Sequence, residues 1–142
     1  MKTLITTLLI SAAAAVASMA ADVTIEMTGN DQMQYDKKAI TVKEGDKVTI
    51  KLKHIGKLPK AAMGHNVVIL KPGSAMPAFA MKCAPAAAND YIPQDAESKA
   101  MIVAHTKMIG GGEETEVTFT APAAGEYPYL CTFPGHFGVM NG

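Results

Sequence analysis

Concentrated positive charge is what this sequence lacks most clearly. The chain contains no arginine, and its 13 basic residues are balanced by 13 acidic ones. Nucleic acids and anionic membranes bind proteins through clusters of positive charge. The composition therefore argues against a nucleic-acid partner and against binding to a charged membrane surface.

Cysteine is also scarce, since only Cys83 and Cys131 are present. In an exported protein, two cysteines first suggest a disulfide. The alternative is that Cys131 is a free thiolate, because His136 and Met140 follow it closely and together they make a set of metal ligands. We favour the second interpretation, in which Cys83 is a buried thiol that packs as a small apolar side chain.

Only one long hydrophobic run occurs, from Leu4 to Val16, and it is too short to span a bilayer comfortably. Lys2 precedes the run, and Ser18-Met19-Ala20 follows it. This order predicts a signal peptide over residues 1–20 and a single mature domain over residues 21–142. We expect a periplasmic protein without a membrane anchor, because no later run is long enough for a membrane helix and no cysteine follows the first run closely.

Apolar and polar residues alternate along much of the chain, which is typical of half-buried strands. The alternating sets are Val23, Ile25 and Met27; Val48, Ile50 and Leu52; and Val117 and Phe119. Shorter strands are predicted at residues 37–42, 65–70, 101–105 and 127–131. The pattern indicates an all-β, antiparallel Greek-key sandwich or barrel. Apolar residues at helical spacing between 74 and 87 predict one inserted helix.

The end of the chain carries the strongest indication of function. Cys131, His136 and Met140 place a thiolate, an imidazole and a thioether on one short loop. A second imidazole would complete the trigonal His₂Cys site with a weak axial Met that characterises copper electron-transfer proteins.

The second imidazole must come from His54, His65 or His105. His65 is preferred, because it opens an apolar run that predicts a stiff strand and follows Gly64, where the backbone can approach an ion closely. A lone histidine on a strand is more often structural, and we apply that interpretation to His54 and His105.

Four segments of the chain resemble azurins, which are blue copper proteins of the cupredoxin type, and they occur in the azurin order. They cover residues 29–35, 58–66, 103–110 and 131–136, including Met63-Gly64-His65-Asn66 and Cys131-Thr132-Phe133-Pro134-Gly135-His136. The resemblance implies that one type 1 copper binds to His65, Cys131 and His136, with Met140 as axial ligand and the Gly64 carbonyl as a distant fifth contact. It also implies supporting roles for Asn66 and Phe133, and an apolar docking surface formed by Leu58, Met63, Pro134, Gly135 and Phe137.

The function expected from this resemblance is periplasmic electron transfer by a monomer that is not an enzyme. Its partners would be redox proteins such as c-type cytochromes or copper/haem oxidoreductases. The alternatives are copper storage or delivery, a multicopper enzyme, which would need more histidines than the chain has, and a cupredoxin-like fold without metal.

The sequence departs from the azurins in two places. The positions of their usual N-terminal disulfide look like Val23 and Asp46, so that bond is not expected here. Azurins also continue beyond the axial Met with a final strand, whereas Met140 is followed here by Asn141-Gly142. We therefore expect unpaired strand edges beside this position and a Met140 that is held less firmly than the other ligands.

Overall fold

Two three-stranded sheets form the frame of the protein. The computed structural model describes residues 19–142, so nearly all of the predicted signal peptide lies outside the described residues. The strands are β1 (Asp22–Gly29), β2 (Lys47–His54), β3 (Val68–Leu70), β4 (Ile102–His105), β5 (Glu114–Thr120) and β6 (Tyr129–Leu130); the helices are α1 (Lys60–Met63), α2 (Met76–Cys83) and α3 (Ala96–Met101), and a 3₁₀ helix covers Ala84–Asn89. The prediction of an all-β fold is confirmed.

The first sheet has the order β1-β2-β5 and contains the three strands that show the clearest alternation. On β2, Val48, Ile50 and Leu52 are buried, whereas the lysines between Ile50 and His54 face solvent. Val48 lies opposite Val23 on β1 and Phe119 on β5. The pairing of β2 with β5 is antiparallel, but β1 runs parallel to β2, so the prediction of a purely antiparallel sandwich is wrong at this pair.

The second sheet has the order β4-β3-β6 and is antiparallel. All three residues of β3 are buried, which agrees with its continuous apolar sequence. His65 lies just before β3, and Cys131 comes directly after β6. Because β3 pairs directly with β6, the sheet brings His65 and Cys131, which are distant in the sequence, close together.

The core is divided into two clusters of buried side chains. The larger cluster fills the space between the sheets and includes Cys131 and Met140. The smaller cluster packs α2 against the second sheet through Phe79 and Cys83. Both cysteines are free and buried, so the disulfide alternative is not observed.

Helical structure is more extensive than the single predicted helix. The predicted segment over residues 74–87 is divided into α2 and the 3₁₀ helix. Helix α3 was not predicted, although Asp95 caps it by accepting the Ser98 N–H at 2.9 Å, a standard N-terminal signal. None of the helices within residues 19–142 has the length and apolar character needed to cross a membrane.

The strand predicted at residues 37–42 does not form. This segment contains no strand, although Ile40 and Val42 pack against the core. A strand requires a partner for its backbone groups, and the local sequence that predicted this one does not specify a partner.

Candidate metal centre

His65, Cys131 and His136 converge at one end of the two sheets. Their ligand atoms all lie within 4.8 Å of one another, and all three residues are buried. The Cys131 Sγ is 4.0 Å from the Nδ1 of His65 and 3.6 Å from the Nδ1 of His136. A single ion could contact all three atoms.

The backbone and the ring of His65 are both fixed. A two-way bridge joins its backbone to Ile109, with both N–H to carbonyl distances at 2.9 Å. The Nε2 of His65 lies 2.7 Å from the carbonyl of Asn30, so Nε2 carries the proton and Nδ1 is left with a free lone pair. Such a hydrogen bond on the outer nitrogen orients a metal-binding histidine.

His54 supports His65 without offering a ligand. The rings of His54 and His65 are stacked, with their centroids 4.2 Å apart. Both nitrogens of His54 are engaged, since the N–H of Gly56 donates to Nδ1 at 3.0 Å and Nε2 donates to the carbonyl of Met63 at 2.8 Å. We interpreted His54 as a structural residue and did not expect its contact with His65. The burial of His54 could have been predicted, because it continues the buried face of β2 beyond Leu52.

Two glycines allow close approach around the cluster. A Cβ on Gly29 would lie 2.8 Å from the His65 ring and 3.0 Å from the methyl group of Met140. A Cβ on Gly64 would lie 2.8 Å from the carbonyl of Lys60. The Gly64 carbonyl is 3.7 Å from the Cys131 Sγ. The contribution of Gly29 was missed.

The loop from Cys131 to Met140 is closed by its own backbone. His136 N–H donates to the carbonyl of Phe133 at 3.1 Å, and Met140 N–H donates to the carbonyl of His136 at 2.8 Å. Cys131 N–H in turn donates to the carbonyl of Met140 at 3.0 Å. Met140 is fully buried, which is not the weakly held position that we expected.

Asn66 and Phe133, for which the resemblance implied supporting roles, lie beside the candidate ligands. The Asn66 side chain accepts the Thr132 N–H at 2.9 Å and donates to the Thr132 hydroxyl at 2.8 Å. The ring of Phe133 lies 4.6 Å from the ring of His136. The two hydrogen bonds of Asn66 join the His65 segment to the Cys131 loop.

Burial sets the protonation of the metal-free cluster. It raises the pKa of the Cys131 thiol to about 11, against the opposing effect of N–H groups of Asn66 and Phe133. It lowers the pKa of His136 to about 4, with further lowering by His65 and His54. Burial also lowers the pKa of His65. At neutral pH the two imidazoles are free to bind a metal, whereas the thiol must first lose its proton.

The donor set selects among metals. Within residues 19–142, the single cluster of three or more potential ligands contains one sulfur and two imidazoles and no carboxylate. Soft sulfur and imidazole suit copper and zinc, whereas hard cations require oxygen ligands. The residues present fit a copper ion.

Comparison with known proteins agrees with this donor set. The family model of copper-binding proteins of the plastocyanin/azurin family matches residues 21–142. The chain belongs to this family. It is 47% identical over 126 residues to azurin-1 from Alcaligenes xylosoxydans xylosoxydans, an alignment that covers 86% of this chain and 95% of that protein. It is 41% identical over 128 residues to the azurin of Bordetella pertussis, covering 87% of this chain and 83% of that protein.

Solved structures of the same type match the fold. The reduced auracyanin of Roseiflexus castenholzii has a TM-score of 0.74 and 35% sequence identity, covering 87% of this chain and 95% of that one. Auracyanin A of Chloroflexus aurantiacus has a TM-score of 0.73 and 38% identity, covering 84% and 94%. The predicted cupredoxin fold, the resemblance to azurins and the copper cofactor are therefore confirmed. This member of the plastocyanin/azurin family is a copper protein that transfers electrons.

Copper binding by this family member is expected to release one proton between pH 7 and 9. In that range the thiol of Cys131, with a pKa of about 11, is protonated, and His136, with a pKa of about 4, is neutral. The apparent affinity should therefore rise about tenfold per pH unit, because a metal ligand must lose its proton. Calorimetry in buffers of different ionisation enthalpy measures the number of protons released.

The control is Cys131→Ala, in which the weaker binding should be nearly independent of pH over the same range. A slope of two protons in the wild type would mean that one of the imidazoles is charged at neutral pH, contrary to the lowered pKa values.

Proposed function

We propose that this chain is a periplasmic one-electron carrier in which His65, Cys131 and His136 bind one type 1 copper. Met140 is the axial ligand, and the Gly64 carbonyl is a weak further contact. The observation that carries this assignment is the buried cluster of one thiol and two imidazoles. When bound, copper supplies a one-electron couple that no side chain of the cluster provides.

A preset site favours rapid electron transfer. The His65 ring is fixed by Asn30 and by stacking on His54, and the loop that carries Cys131 is closed by backbone hydrogen bonds. Ligands that keep their positions reduce the rearrangement that accompanies a change of charge. A trigonal thiolate site with a weak axial ligand suits both oxidation states of copper.

The electron would pass through the ring of His136, which is 3% exposed. Pro134 and Gly135 beside it are exposed, and Phe137 is half-buried. Leu58 is 42% exposed, and Val139, an apolar residue of the same loop as His136, is 53% exposed. We name as the docking surface Leu58, Met63, Pro134, Gly135, Phe137 and Val139. Its apolar character suits a small, transient interface with a redox protein, such as a c-type cytochrome or a copper/haem oxidoreductase.

Two rivals are less consistent with the site. Copper storage or delivery requires exchangeable ligands, and the three converging residues are buried. A multicopper enzyme requires a second metal site, whereas residues 19–142 contain one cluster of three or more potential metal ligands. We therefore propose an electron carrier without catalytic activity. We also propose that it is monomeric and that a signal peptide over residues 1–20 exports it.

Placing a charge on the docking surface should slow electron exchange. We expect Met63→Glu or Leu58→Glu to lower the exchange rate between oxidised and reduced protein about tenfold, because a carboxylate must then be desolvated in the interface. The copper spectrum should not change. The measurement is the line broadening of NMR signals in mixtures of the two oxidation states.

Thr24→Glu is the matched control. Thr24 is exposed on β1, five residues from Gly29, which adjoins the site; this spacing corresponds to about 16 Å along a strand. The control adds the same charge and should retain the wild-type rate. Equal slowing in all three variants would mean that net charge, rather than the proposed surface, controls the rate.

A further inference from the structure

A buried tyrosine contacts the segment that holds the cluster. Tyr35 is 4% exposed, and its hydroxyl donates a hydrogen bond to the backbone carbonyl of Asn66. Burial raises the pKa of Tyr35 well above its ordinary range, with a further contribution from Cys131, so the hydroxyl keeps its proton and acts as a donor. Tyr35 reaches this position from the bridge that its backbone forms with Gly29.

Asn66 is the residue through which this contact could reach the sulfur. Its side chain makes two hydrogen bonds to Thr132, the residue after Cys131. Its own N–H lowers the pKa of the Cys131 thiol and therefore favours the thiolate. Asn66 also follows His65 directly. A shift of Asn66 would therefore alter the hydrogen bonding of the thiolate and the position of one imidazole together.

We propose that Tyr35 is a positioning residue of the copper site, which acts through Asn66 on the hydrogen bonding of the Cys131 sulfur. The inference rests on the proposed ligand set. Hydrogen bonds to the cysteine sulfur are one of the factors that tune the reduction potential of such sites. Asn66 is anchored on one side by Thr132 and on the other by Tyr35, so each anchor limits its movement.

Removal of the hydroxyl leaves the buried Asn66 carbonyl without the donor that it has in this structure. A buried unsatisfied acceptor is costly, and the segment can relieve the cost only by moving or by admitting water. Either response weakens the effect of the Asn66 N–H on the sulfur. A thiolate with weaker hydrogen bonding donates more electron density, which favours copper(II) and lowers the potential.

The test compares Tyr35→Phe with Tyr129→Phe. Tyr129 is a matched control, because its ring lies 5.9 Å from that of Tyr35 in the same core cluster and its hydroxyl also donates to a backbone carbonyl, that of Lys37, at 2.8 Å. Titration against a reference redox couple should show the copper(II) to copper(I) ratio of Tyr35→Phe raised about threefold or more, since altered hydrogen bonding at the sulfur shifts the potential. Tyr129→Phe should match the wild type.

A second measurement uses the metal-free protein. The amide of Thr132, which donates to the Asn66 side chain, should exchange with solvent about tenfold faster in Tyr35→Phe and at the wild-type rate in Tyr129→Phe. Equal effects of the two variants, or an unchanged redox ratio in Tyr35→Phe, would overturn the inference and leave Tyr35 a structural residue. Failure of the proposed function itself would be recognised separately, as the absence of an intense red band in the wild type.

Discussion

Replacing Cys131 with alanine is expected to abolish the intense red absorption band of the copper(II) protein. The band arises from charge transfer between a thiolate sulfur and the metal, and Cys131 is the sulfur that lies beside both His65 and His136. The loss should be essentially complete, because the imidazoles alone give only weak absorption. The visible spectrum after addition of copper(II) measures it.

Cys83→Ala is the matched control for this prediction. Cys83 is the other buried free thiol, and its sulfur donates to the carbonyl of Phe79 at 3.3 Å within α2. Burial raises its pKa to about 12. This variant should retain the full band and lose about 1 kcal/mol of stability through its smaller side chain. A wild-type protein without an intense band, or a Cys131→Ala variant that keeps one, would reject the type 1 assignment.

The three strands of the first sheet could be predicted from local sequence. Alternation with period two requires only that one face be buried, and β1, β2 and β5 satisfy it residue by residue. The parallel pairing of β1 with β2 could not be predicted in this way, because partner and direction depend on contacts between distant segments. The strand expected at residues 37–42 does not form for the same reason, since Ile40 and Val42 pack against the core but the segment has no strand partner.

The metal cluster was easier to predict than its surroundings. Cys131 and His136 lie close together in the sequence, few histidines compete with His65, and the azurin resemblance implied these same three residues, which the structure brings together. The stacked ring of His54, the close approach at Gly29 and the hydroxyl of Tyr35 depend on packing between the sheets. A local sequence motif does not specify these contacts between distant segments.

An open groove lies beside β6. The cavity measures about 1020 Å³ and runs between the segment of residues 38–42 and residues 125–129. Ile40, Val42 and Phe119 line it. Gly142 already pairs with Tyr129 through two hydrogen bonds, of 2.9 and 3.0 Å, in the geometry of an antiparallel strand. The groove extends from this pairing toward Tyr127.

The register of a strand in the groove is defined by Gly142. A Cβ at Gly142 would lie 2.3 Å from the Tyr129 ring, so this position faces the core on the same side as Tyr129. Because strand side chains alternate, the second and fourth residues after Gly142 would also face the core. A segment with apolar residues at those two positions should fill the groove beside Tyr127.

Appending Thr-Leu-Thr-Val-Thr after Gly142 is therefore expected to raise the thermal unfolding midpoint of the copper-loaded protein by roughly 5 to 10 °C. Burial of the Leu and Val side chains and the new backbone hydrogen bonds should together exceed the entropy cost of ordering the added residues. A net gain near 1–2 kcal/mol corresponds to a shift of this size. Scanning calorimetry measures the midpoint.

Appending Leu-Thr-Val-Thr-Thr instead is the control, because it has the same composition shifted by one residue. The shift turns both apolar side chains away from the core, and the gain in stability should disappear. An equal rise in both proteins would show that added length alone stabilises the terminus. An unchanged midpoint in the first protein would mean that the groove does not accept a strand in this register, and that the edge of β6 is satisfied in another way.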